Sequence, residues 1–159
     1  MPDSTPLILP ALGPVYQALA PAAEALLRLA VGLLLVPHGM RMCLGYFPGT
    51  GGPVNSVATL AAALDRFGYR PGRLWAPVIA VTELVGGPLL ALGLFTRPAA
   101  LPAFILLLLG AYDHARRDGY FWNQQGLEYP LLWAVAALYF LVNGGGAWSL
   151  DRLLLGWAL

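Results

Sequence analysis

Charge is scarce in this chain of 159 residues. Asp, Glu, Lys and Arg together make up 11%, against about 25% in soluble domains. A chain so poor in polar groups cannot cover a soluble globule with them, so the class is integral membrane protein. Lysine is missing altogether, and all nine basic residues are arginine, which reads as genomic bias. One cysteine, Cys43, is present. It excludes an internal disulfide, a Cys-x-x-Cys redox pair and a thiolate metal cage. A net charge of +1 leaves no electrostatic footprint for nucleic acid. No phosphate loop, dinucleotide fingerprint or nucleophile–base pair is present. No basic residue precedes the apolar part of "MPDSTPLILPALGPVYQALAP", so this stretch does not read as a cleaved signal peptide. Its prolines predict an irregular or surface-lying lead-in.

Long apolar runs are what the chain has. A membrane helix needs about 17–25 such residues. Four candidates satisfy or approach this: Ala18–Val36, Leu74–Phe95, Pro98–Tyr112 and Leu127–Val142. Thr96 is placed to cap the third and Pro98 to begin it. The third is short and could extend through "DHARR". The expected fold is all-α: one membrane domain over residues 1–159, an antiparallel four-transmembrane-helix bundle. A long first loop spans 37–73, and "VNSVATLAAALDRFG" within it has helical spacing. "SLDRLLLGWAL", with Ser149 as cap, predicts a short C-terminal interfacial helix. Arg41, Arg66, Arg70, Arg73, Arg116 and Arg117 fall on one side of the membrane in this scheme. Arg97 and Arg152 fall on the other, which places both termini outside the cytoplasm.

Glu83 lies inside an apolar span, where a charge costs at least about 2.5–3.5 kcal/mol. It should face the bundle, find a partner or stay protonated. Ala76, Ala80, Gly86 and Gly87 share its helix face, while Val81, Val85 and Leu92 lie opposite. Small residues favour close helix packing, so Glu83 is expected on the packing face. Counting from the span ends makes Arg28 its expected partner, with Glu24 as competitor one turn from Arg28. The group is either a packing clamp or the lining of a pocket for a small ligand, a proton or a quinone headgroup. A second polar group should gather at one membrane face: His38, Arg41, Asp113, His114, Trp122, Asn123 and Glu128. Glu128 suits the first turn of the fourth span. A metal site from two His and a carboxylate is conceivable in type, but each His is more often a loop or interfacial residue, and no metal is expected. The spacing does not indicate paired haem ligands.

Four blocks in order, "LLRLAVGLLLVPHGMR", "FGYRPG", "VTELVGGPLLALGLFTRPAALPA" and "NGGGAWSLDRLL", resemble the DoxX-like family of small four-helix bacterial membrane proteins. The resemblance runs from about Arg28 to Leu154. It carries over to Arg28, His38, Gly39, Glu83, Gly86, Gly87, Thr96 and Arg97. Relatives commonly place Lys a few residues after the "HG" pair. Arg41 stands there instead, and a guanidinium, always charged, cannot serve as a proton donor or Schiff-base amine. The family is named after a subunit of an archaeal membrane-bound thiosulfate:quinone oxidoreductase, and other members resemble partners in membrane redox complexes.

The resemblance implies a subunit of a quinone-linked redox system in the bacterial or archaeal cytoplasmic membrane. A quinone or small reductant would bind near the Arg28/Glu83 pair. Arg28 would donate hydrogen bonds, Glu83 would orient it or relay a proton, and His38 would lie nearby. Arg41, His114, Trp122 and Glu128 complete the candidate cofactor-binding set. No redox centre is visible, so electrons would come from a bound cofactor or from other redox or membrane proteins; a homodimer is also conceivable. The alternatives are a non-catalytic assembly or scaffold partner and a small-solute transporter.

Overall fold

The structure, a computed structural model, describes residues 9–50 and 52–156. Residues 1–8, the first part of the expected irregular lead-in, lie outside that range. From Pro10 onward the lead-in is helical. A single 3-10 turn, Pro10–Leu12, runs directly into α1 (Gly13–Leu44). Pro14 falls in the first turn of α1, where a missing amide donor costs nothing.

Pro37 does not end α1, contrary to the expected boundary at Val36. The helix runs on until Gly45 adopts a left-handed conformation, with its N–H bonded to the Met40 carbonyl. An internal proline removes one helical hydrogen bond. In apolar surroundings, leaving the helix would expose far more backbone than that. His38, Arg41 and Cys43 therefore belong to a helix and not to a loop. At about 1.5 Å per residue, the 32 residues of α1 reach beyond a hydrocarbon layer of about 30 Å.

The expected helix within the first loop is present as α2 (Val57–Arg66). Ser56 and Thr59 cap it reciprocally: the Thr59 N–H donates to Ser56 Oγ at 3.2 Å, and the Ser56 N–H donates to Thr59 Oγ1 at 3.0 Å. It packs on α3 (Gly72–Leu92), where Leu60 meets Cys43 and Ala76. Gly72 lies against the backbone of Ala61, a contact that no side chain would allow. α3 is not a uniform α-helix. Residues Thr82–Gly86 form a π-helical segment containing Glu83.

α4 (Thr96–Arg117) extends through "DHARR", the longer of the two expected forms. α5 (Glu128–Asn143) follows. The two pack extensively along each other. Ala99, Ala100 and Ala103 of α4 meet Ala136, Ala137 and Phe140 of α5, joined by Val31, Leu35 and Leu90 in one core. Alanines let helix backbones approach closely. α1 and α3 run antiparallel, with Gly32 against Gly87 and Ala91, and Gly39 against Glu83. As expected, Ala76, Glu83, Gly86 and Gly87 are buried, while Val81, Val85 and Leu92 are exposed.

Among the described residues all regular structure is helical. Three stretches are long and apolar enough to cross a membrane: Pro10–Leu44, Gly72–Leu92 and Thr96–Arg117. α5, with 16 residues, is shorter than the usual minimum of about 17. At the C-terminus the described residues hold one π-helical turn, Asp151–Leu155. Ser149 Oγ accepts the Arg152 N–H there at 3.3 Å.

Candidate functional site

The buried charges fall into two groups at different levels of the bundle. The first is a knot tying three distant parts of the chain. Arg28, 3% exposed, donates from Nη1 to the Gly145 carbonyl at 3.0 Å and from Nη2 to the Trp148 carbonyl at 2.7 Å. Its Nε has no partner among the described residues. The guanidinium packs directly on Gly93, where any Cβ would collide with it. Glu24 and Asp151 are the carboxylates whose fields it feels. Glu24 instead accepts from the Tyr139 hydroxyl at 3.2 Å.

Asp151 is fully buried and anchors the same knot. Its carboxylate accepts the Phe95 N–H at 2.6 Å, the Thr96 N–H at 2.9 Å and the Thr96 hydroxyl at 2.6 Å. Its own N–H donates to the Gly93 carbonyl at 2.8 Å. The free amides at the start of α4 are thus capped from the far end of the chain, and the Thr96 hydroxyl acts as a donor instead of capping its own helix.

Glu83 forms the second group. The Arg28–Glu83 pair expected from the span ends does not form. Arg28 lies level with Gly93, and Glu83 lies level with Gly39. Those positions on α1 are eleven residues apart, about 16 Å along the axis. The depth count failed because α1 continues past Pro37 to Leu44, which shifts the register against α3. Glu83 is 4% exposed, and its Oε2 has no hydrogen-bond partner among the described residues. A Cβ on Gly39 would sit 2.8 Å from Glu83 Cβ. The cation whose field reaches Glu83 is Arg41. Glu83 in turn acts on Cys43, itself 6% exposed. Side chains lean toward a helix N-terminus, so in this antiparallel pair Glu83 and Cys43 tip toward each other. The π-helical segment around Glu83 is a feature frequent at functional sites.

The remaining candidates are spread over local contacts. His38 neighbours Gly39 in sequence but is exposed. Arg41 reaches the Thr50 carbonyl at 3.5 Å. His114 Nδ1 lies 3.0 Å from Asp118. Asp113 pairs with Arg117 at 2.7 Å and accepts from the Tyr69 hydroxyl at 3.0 Å. Burial, then the bond to Asp113, pushes the Tyr69 phenol above its ordinary pKa. Glu128 accepts the Trp122 N–H at 2.9 Å at the start of α5, while the Trp122 ring is exposed. Among the described residues no three His, Cys, Asp or Glu side chains converge as metal ligands. Asp151 and the carbonyls of Gly145 and Trp148 were missed as partners. Their signal was the two blocks "LGLFTRPAA" and "NGGGAWSLD", which stand far apart in sequence and meet in space.

The family profile described as DoxX matches residues 23–115. The chain belongs to the DoxX family. That range holds Arg28, Gly39 and Glu83 but stops short of Asp151. An uncharacterized protein of Haemophilus influenzae is 36% identical over 134 residues, covering 80% of this chain and 87% of its own. An uncharacterized membrane protein of Mycobacterium tuberculosis is 31% identical over 150 residues, covering 88% and 86%. No solved structure matches the chain significantly. With its apolar helices, this DoxX family member is a membrane protein.

Proposed function

We propose that this DoxX protein is a four-span subunit of a quinone-linked redox system in the cytoplasmic membrane, and that Glu83 holds the polar end of the bound quinone. One observation carries the reading: a carboxyl oxygen buried among apolar helices with no partner among the described residues. Leaving a buried polar group unpaired costs about 1–3 kcal/mol or more, and a ligand with a hydrogen-bonding oxygen removes that cost. α5 is the fourth span in this scheme, carried alongside α4 by their shared alanine core.

The residues divide by fitness for the ligand. Arg28 is a poor donor to it, because two of its three nitrogens already hold backbone carbonyls. Glu83 fits, since either protonation state offers a hydrogen bond to a quinone or hydroquinone oxygen. Bound quinone supplies reversible two-electron chemistry. Glu83 then orients one ligand oxygen and holds or releases a proton at Oε2. Leu84, next to Glu83 in sequence, packs on the cluster of Cys43, Leu60 and Ala76, so apolar side chains border the site. Electrons pass to or from a partner protein.

The test is purification under mild conditions, solvent extraction, and quantification of co-purifying quinone by mass spectrometry. Wild type should carry about one quinone per chain, and Glu83→Leu should carry none at an unchanged thermal midpoint. Wild type without quinone overturns the reading. A Glu83→Leu variant that loses its partner proteins instead of quinone favours an assembly role.

A further inference from the structure

We infer that Arg41 and the loop that follows α1 bind a phosphate-type oxyanion at the membrane surface. A cavity of about 210 Å³ lies between the last turn of α1 and residues 45–50 and 52–55. Among the described residues Arg41 is the one charged residue lining it, and no carboxylate does. A guanidinium offers five N–H donors. Here a single bond is recorded, to the Thr50 carbonyl at the long limit of 3.5 Å. The donor capacity facing the cavity is therefore almost unused.

The backbone points the same way. Gly45, Phe47 and Gly49 have φ of 73°, 57° and 83°. Alternation of right- and left-handed residues turns successive N–H groups into a concave nest suited to anions. The N–H groups of Gly45 and Tyr46 return to the Met40 carbonyl, and that of Thr50 to Phe47. Those of Phe47 and Gly49 have no acceptor among the described residues. Phe47 holds a left-handed conformation that bulky residues seldom adopt, the kind of local strain that persists at ligand clamps. The cavity is smaller than the roughly 300–1,000 Å³ of drug-sized sites and suits a headgroup. The rings of Tyr46 and Phe47 are exposed beside it, as aromatic side chains are at lipid headgroup level. The ligand chemistry is a phosphate group, from an anionic phospholipid or from free phosphate. Glu83 does not line this cavity, but Arg41, whose field reaches Glu83, is shared with the quinone reading, so Gly49→Ala tests this site by itself.

The full chain in detergent is titrated with short-chain phosphatidylglycerol, with diacylglycerol of the same chains, and with inorganic phosphate. Bound ligand is read by native mass spectrometry. Phosphatidylglycerol should bind and diacylglycerol should not. Arg41→Gln should weaken binding at least tenfold, while Arg116→Gln, an exposed arginine outside the cavity, should leave it unchanged. Gly49→Ala keeps the charge and its Cβ meets no neighbouring described atom, yet strains the positive φ, so it should also weaken binding. Arg41-dependent competition by inorganic phosphate assigns the site to the free anion. Lipid binding without such competition assigns it to the headgroup. Equal binding by wild type and Arg41→Gln at equal thermal midpoints, or equal binding of diacylglycerol and phosphatidylglycerol, overturns the inference.

Discussion

Asp151 accepts both the amide and the hydroxyl proton of Thr96, at 2.9 and 2.6 Å, from 55 positions further along the chain. With the Phe95 amide as third donor, it caps α4 and holds Phe95 at a φ of 50°. Asp151→Ala should lower stability by about 3 kcal/mol or more, because hydrogen bonds to a charged acceptor are worth about 1.5–3 kcal/mol each. Asp151→Asn should lose less, since the amide oxygen still accepts. Thermal unfolding in detergent checks both. An Asp151→Ala protein as stable as wild type would contradict the capping role.

Arg28→Met should also act on stability and leave the Glu83 site alone. It strips the donor from two carbonyls, Gly145 and Trp148, at a cost of about 1–3 kcal/mol each. Arg28 and Asp151 belong to one knot, so their effects should not add. The double variant Arg28→Met/Asp151→Ala should lose clearly less than the sum of the singles. Full additivity would mean that the two residues act independently.

Glu83→Gln should behave oppositely. The carboxyl oxygen it replaces has no partner to lose among the described residues, and an amide, unlike a carboxyl group, never brings a charge into apolar surroundings. The thermal midpoint of the ligand-free protein should stay level or rise. A fall of several degrees would reveal a partner that the geometry does not contain.

Gly39→Ala probes the contact that confines Glu83. The added methyl would sit 2.8 Å from Glu83 Cβ and 2.9 Å from Leu84, so α1 and α3 must part locally. Overpacking of this kind costs about 1–3 kcal/mol. It should also open Glu83 to an apolar carbodiimide, with faster modification than in wild type by peptide mass spectrometry. Equal labelling rates would show that the helices already part there.

Tyr69 predicts an alkaline limit to one tertiary contact. Only the neutral phenol can donate to Asp113, and its pKa is raised, by burial first and by that bond second. The contribution is complete below the ordinary phenol value of about 10 and disappears as pH climbs through the raised value. The gap in thermal midpoint between wild type and Tyr69→Phe should be constant from about pH 8 to 9.5 and close above about pH 10. A gap that widened with alkali would refute the donor assignment.

The positions of α2, α3 and α4 were legible before any coordinates, and so was the buried face of α3. Each rests on a local rule: apolar residues at helical spacing mark α2, small residues at helical spacing around Glu83 mark a packing face, and an apolar run marks a span. The candidate site was only half legible. Glu83 stood out because a carboxylate in an apolar run is conspicuous anywhere. Its π-helical setting left no trace in composition, since one wider turn needs no special residue.

Composition and periodicity by themselves determined that this protein is helical, belongs in a membrane and buries Glu83. Only the tertiary structure decided what each charge meets. Partnership between antiparallel helices depends on register, and one helical turn moves a residue by about 5.4 Å, farther than a hydrogen bond can reach. The continuation of α1 past Pro37 therefore sufficed to part Arg28 from Glu83 and deliver it to Gly145 and Trp148. Asp151 reached Thr96 by the same kind of long-range packing, which no local pattern in either segment encodes.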